Sequence, residues 1–177
     1  MDNKRKGLIG ETAVVLKLLE NGWNAVNLNV SIPNYKGADI VCMKDDGSTC
    51  MVQVKTACGE NPNFVTGFVS DNKGNIEGLE KKIVGPWVFV QMLGEGIGAT
   101  YRFYVLSRLE VLSLINDSNR WYMNEAYHRK ELSNKTMVGL PLAWIRGDGY
   151  CPESKTYKAY KSVIASNPEN RWEKIWE

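Results

Sequence analysis

Lys36-Gly37-Ala38-Asp39-Ile40-Val41-Cys42-Met43-Lys44, then Asp45-Asp46-Gly47, then Ser48-Thr49-Cys50-Met51-Val52-Gln53-Val54-Lys55 is the stretch that decides the fold. Two runs rich in β-branched and apolar residues flank an Asp-Asp-Gly sequence, which predicts a hairpin with strands near 38–44 and 49–57. Its register depends on the loop. A two-residue Asp46-Gly47 turn would set Asp39 opposite Val54 and mix polar with apolar side chains. A three-residue loop with Gly47 in the left-handed conformation sets Asp39 opposite Gln53 and leaves Lys55 diagonal to it on the same face. Opposite residues then have Cβ atoms roughly 4.5–5.5 Å apart and diagonal ones about 7–8 Å. The second register is preferred, because Val52 and Val54 join Ile40 on the other face. It also sets Cys42 opposite Cys50.

Upstream, residues 8–21 read as a helix closed by Asn21-Gly22, with Leu8, Val15, Leu18 and Leu19 on one face. Glu11 stands three, four and seven residues from Leu8, Val15 and Leu18, so it points from that stripe. A carboxylate facing a sheet must be paired, protonated or bound to a cation. If this helix packs beside the hairpin, Glu11 approaches Asp39, and a divalent cation would relieve the repulsion between the two acids.

Residues 23–30 alternate apolar and polar as a strand would, and 31–37 read as a loop. Residues 58–75, rich in Gly, Asn and Pro, also read as a loop. Apolar runs at 87–92 and 101–106 predict two further strands, joined by a turn carrying Gly94, Gly96 and Gly98. Helices are expected at 107–117, 153–166 and 169–176. The order predicts an α/β fold in which one domain spans 1–177, with its core at about 7–106 and a helical C-terminal extension at about 107–177. Trp172, Ile175 and Trp176 read as a docking stripe against the core.

Gly10-Glu11 on a first helix, Lys36 to Val41 with Asp39, and Val52-Gln53-Val54-Lys55 together resemble the PD-(D/E)xK phosphodiesterase superfamily, which includes many restriction endonucleases and Holliday-junction resolvases. The resemblance covers residues 7–106. It implies a restriction endonuclease-like αβββαβ core, with a mixed central sheet flanked by helices. It implies a metal-dependent endonuclease that hydrolyses the DNA backbone. Asp39 would ligate Mg²⁺ or Mn²⁺ with Glu11, Gln53 and the Val54 backbone carbonyl. Lys55 would orient or activate the attacking water. The sequence departs from the pattern twice. Gln53 replaces the usual second acid and lowers the charge at the cation, and Pro33 lies six residues before Asp39. The alternative is a module of the same fold that binds nucleic acid or a protein partner with little or no catalysis.

Composition sets outer bounds. At 44% apolar and 24% charged residues the chain has the makeup of a globular protein, and no apolar run is long enough to span a bilayer. The charged N-terminus leads into an amphipathic segment and not a signal-peptide core, so a cytoplasmic location is expected. Four cysteines without paired spacing are expected as thiols, not as a zinc site. A net charge of +2 is too small to argue for nucleic acid by itself. His128, the basic and aromatic segment 121–130, and Glu80-Lys81-Lys82 read as surface features. Cutting both strands of a duplex with one site per chain would suit a homodimer.

Overall fold

The structure is a computed structural model and describes residues 1–32, 37–94, 96–126, 135–147 and 160–177. Helix α1 (Asn3–Glu20) leads to strand β1 (Asn24–Asn27), a helical turn α2 (Leu28–Ser31), and the hairpin β2 (Ile40–Met43) and β3 (Thr49–Cys58). Then follow β4 (Asn63–Ser70), α3 (Leu79–Lys82), β5 (Trp87–Leu93), β6 (Thr100–Leu106), α4 (Arg108–Trp121), β7 (Thr136–Pro141) and α5 (Leu142–Arg146). A 3₁₀ turn at Trp172–Trp176 comes last. The five strands expected from the sequence form one mixed sheet in the order β1-β2-β3-β5-β6, with β3 and β5 parallel and the other neighbours antiparallel. The α/β class and the mixed sheet flanked by helices are as expected.

The hairpin adopts the three-residue register: Ile40 pairs with Val52 and Cys42 with Cys50. Gly47 has φ +86°, and its N–H donates to the Lys44 carbonyl at 3.0 Å. A side chain at Gly47 would meet the steric penalty of left-handed backbone, which is why the loop needs glycine there. Cys42, Cys50 and Cys58 are free thiols. Cys151 lies outside the described residues.

Alternation along β5 and β6 sends residues to two separate cores. Val88, Val90, Phe103 and Val105 face α1 (Val14, Leu18), together with Ile40, Cys42, Val52 and Val54. Trp172 and Ile175 seal that layer, so the C-terminal stripe docks as read from the sequence. Trp87, Phe89, Tyr104 and Leu106 face the other way, toward α4 and the β4–β7 ribbon. Helix α4 starts at a capping box in which the Ser107 N–H donates to Glu110 Oε2 at 3.0 Å and the Glu110 N–H donates to Ser107 Oγ. The other oxygen of Glu110 pairs with buried Lys174, which ties the C-terminal turn to that helix.

Five expectations need correction. The first helix does not bury Leu8 and Leu19, which are 46% and 49% exposed. It buries Gly10, Val14 and Leu18. The glycine gives no apolar signal, yet it is the point of closest approach to the sheet.

The strand read over 23–30 stops at Asn27, whose side-chain oxygen accepts from the Asn29 and Val30 N–H groups and caps α2.

The loop read over 58–75 contains β4. It pairs with β7 as a second, two-stranded sheet, and Phe64, Thr66 and Ser70 face inward along it.

The helix read over 153–166 is absent from 160–166, and 153–159 lie outside the described residues. Over 169–176 only the 3₁₀ turn forms.

Candidate metal and phosphodiester site

Strand β2 ends where β3 runs on, and the vacated space at the sheet edge is where the candidate groups meet. The Asp39 N–H donates to the Val52 carbonyl at 3.1 Å. That bond holds the Asp39 backbone at the end of β2, beside Val54. Asp39 Oδ2 accepts from the Val54 N–H at 2.7 Å and from Gln53 Nε2. In a strand the N–H and C=O of one residue point to the same edge, and successive residues alternate between the two edges. The Gln53 N–H donates to the Pro86 carbonyl beside β5, so the Val54 peptide, carbonyl included, faces the Asp39 side.

Glu11 arrives from the adjacent helix. Gly10 allows this, because a Cβ built there would lie 1.9 Å from Thr56 Oγ1. Asn27 Nδ2 donates to Glu11 Oε2 at 2.9 Å. Asn29 Nδ2 donates both to Glu11 Oε1 at 3.2 Å and to Asp39 Oδ1 at 2.8 Å. One amide nitrogen therefore joins the two carboxylates. The sequence reading missed both asparagines. Their signal was the Asn27-Leu28-Asn29 spacing, a helix-cap residue followed two positions later by a second amide, inside a run that also alternates as a strand would.

Lys55 sits on the flank of this cluster. Its ammonium lies 5.2 Å from the centroid of the buried Trp87 ring, a cation–π arrangement. Among the described residues it forms no ion pair with Asp39 or Glu11. A cleft of about 600 Å³ is lined by Lys4, Leu8, Glu11, Asn29 and Val30. A second, of about 440 Å³, is lined by Lys6, Lys55, Thr56 and Val65. Asn3 and Gly7 border both, so the first turns of α1 form the ridge between the acid and the lysine.

Burial raises the Glu11 carboxyl above its ordinary range, the Asn27 amide opposes this, and the nearby Asp39 charge adds to the rise. Burial lowers the Lys55 ammonium from its ordinary range, and Asp39 and Glu11 only partly offset that. An acid with a raised folded-state pKa holds its proton better folded than unfolded. Its stabilising contribution is present below the ordinary Glu range and lost as pH rises through the raised value. The metal-free protein is therefore expected to lose thermal stability on raising pH just above the usual Glu range. Glu11→Gln should flatten that limb. Melting curves in chelator across pH check this, and an unchanged limb in Glu11→Gln would assign it to another group.

Among the described residues no cluster of three or more acids, histidines or cysteines is placed to hold a metal. The groups that meet here are two carboxylates, three side-chain amides and a peptide carbonyl. These hard oxygen donors suit Mg²⁺ or Mn²⁺ and not a thiophilic ion. His128, Lys36 and Pro33 lie outside the described residues. No helix among the described residues is long and apolar enough to cross a membrane.

No protein-family model and no curated protein matches the chain. Among solved structures it is similar to a bacterial homing endonuclease, I-Ssp6803I, at a TM-score of 0.50 and 16% identity. The match covers 98% of this chain and 92% of that one. At that identity the likeness is one of fold, and it runs through the C-terminal region as well as the β1–β6 core.

Proposed function

We propose that this chain is a metal-dependent endonuclease of PD-(D/E)xK type that hydrolyses the DNA backbone. The observation that carries the reading is the meeting of Glu11 and Asp39 on one amide, beside the middle of the strand that carries Gln53 and Lys55. The nuclease-like fold and an endonuclease as structural neighbour support it.

Asp39 and Glu11 would hold Mg²⁺ or Mn²⁺, with the Val54 carbonyl and the Gln53 side-chain oxygen as further donors. The cation, when bound, neutralises charge that develops at the scissile phosphate. Lys55, partly desolvated and held over Trp87, places a cationic donor near the attacking water and the phosphate oxygens. Its weakened hold on its proton suits exchange with that water. Lys4 and Lys6, at the mouths of the two clefts, bind flanking phosphates and fix the duplex in register. A duplex cut by this one site per chain calls for two copies of the chain.

Purified protein incubated with supercoiled plasmid should nick it in Mg²⁺ or Mn²⁺ and not in chelator. Lys55→Ala should lose about 10²- to 10³-fold in rate, the scale of one removed transition-state donor. Equal cutting by both proteins would oppose the reading. Gln53 favours one competing reading, a DNA-binding module of the same fold, because it brings an amide where a second charge is usual. Salt-sensitive DNA binding with no metal-dependent cutting, unchanged in Asp39→Ala, would select it.

A further inference from the structure

We infer that Asn29 is a further side-chain ligand of the cation, turning its amide oxygen to the ion that Glu11 and Asp39 hold and adding an oxygen to that of Gln53. This inference rests on the metal-site reading above. The amide orientation is fixed by its partners, since both are carboxylate oxygens and each needs a donor. Its nitrogen lies between the two acids, so a cation that binds both takes over these two bonds and the side chain draws back to make room for it. An NH₂ group and a carbonyl oxygen have nearly the same size and position in an amide. A half-turn of the terminal torsion therefore exchanges donor for acceptor without moving the backbone.

The backbone is held for this exchange. The Asn29 N–H donates to Asn27 Oδ1 at 2.9 Å, and Asn27 Nδ2 holds Glu11 at the same time. Asn27 is thus a positioning residue for both the acid and the amide. Without a cation, the Asn29 nitrogen bridges two acids that would otherwise repel. With one, its oxygen faces the ion, and hard cations accept neutral amide oxygens.

Mn²⁺ binding by calorimetry at pH 8, with no DNA present, tests the assignment on wild type, Asn29→Leu and Asn29→Asp. Asn29→Leu keeps the side-chain bulk without an oxygen and should weaken Mn²⁺ binding about 10- to 100-fold, as loss of a coordinating or supporting group does. Asn29→Asp adds a charge and should tighten binding by about 10-fold or more. It should also lower the melting temperature in chelator, where three acids then crowd. Weaker binding by Asn29→Leu together with tighter binding by Asn29→Asp supports the assignment. Affinities equal to wild type in both would overturn the inference and leave the metal site standing. A wild-type protein that binds no Mn²⁺ would overturn the metal site and this inference with it.

Discussion

Asp39→Asn should lose at least about 10³-fold in metal-dependent cleavage, several kcal/mol of transition-state stabilisation, while the fold keeps its stability. The separation follows from the hydrogen bonds. Asp39 accepts from the Val54 N–H, from Gln53 Nε2 and from Asn29 Nδ2. An asparagine in its place retains one oxygen for the buried Val54 N–H. That oxygen also keeps the Gln53 Nε2 bond, and the new NH₂ meets only Asn29, whose amide can turn an oxygen toward it while Asn27 still holds Glu11. The charge that holds a cation is lost, but no buried group is left unpaired. Asp39→Ala differs, because it strands the Val54 N–H and should cost about 1–3 kcal/mol of stability as well. Cleavage rates beside chemical denaturation of the two variants check the contrast. Wild-type cutting by Asp39→Asn would remove this residue from the chemistry.

The second large effect lies one residue from the acid. Ala at a helix-interior glycine ordinarily stabilises by about 1 kcal/mol. At Gly10 the sign should reverse. The new methyl would sit 1.9 Å from Thr56 Oγ1, closer than packed atoms approach, so α1 must move away from β3. Overpacking of this kind costs about 1–3 kcal/mol. Because Glu11 rides on the same turn, its carboxylate moves off Asp39, and a misplacement of about 1 Å can cost roughly 10²-fold in rate. Thr56→Ala in the same chain removes the obstructing oxygen and should restore part of both losses. That oxygen is buried with no hydrogen-bond partner among the described residues, so deleting it gives up no bond. Melting temperature and nicking rate on the single and double variants decide it. A Gly10→Ala protein more stable than wild type and equally active would show that the close approach is not needed.

What could be read in the sequence was what is set locally. The Asp45-Asp46-Gly47 loop fixes its own register, and with it Asp39 beside Gln53 and Val52 with Ile40 in the core. Glu11 was legible from its spacing of three, four and seven residues to Leu8, Val15 and Leu18, although the line that packs is Gly10, Val14 and Leu18. A helix seated through a glycine hides its contact face from any hydrophobic pattern. Asn27 and Asn29 were lost inside an alternating run because strand and cap compete for the same residues there, and the cap wins through Asn27 Oδ1. β4 was missed for a different reason. Its partner β7 lies far along the chain, and a ribbon made by distant pairing leaves little trace in either segment alone.

Glu11 and Asp39 are proposed to close together on a divalent cation. Crystals grown with Mn²⁺ and measured at the manganese absorption edge test it most directly. An anomalous peak is expected between the two carboxylates, within about 2.0–2.4 Å of an oxygen of each. A peak elsewhere on the chain, or none in crystals whose Glu11 and Asp39 are well ordered, would contradict it.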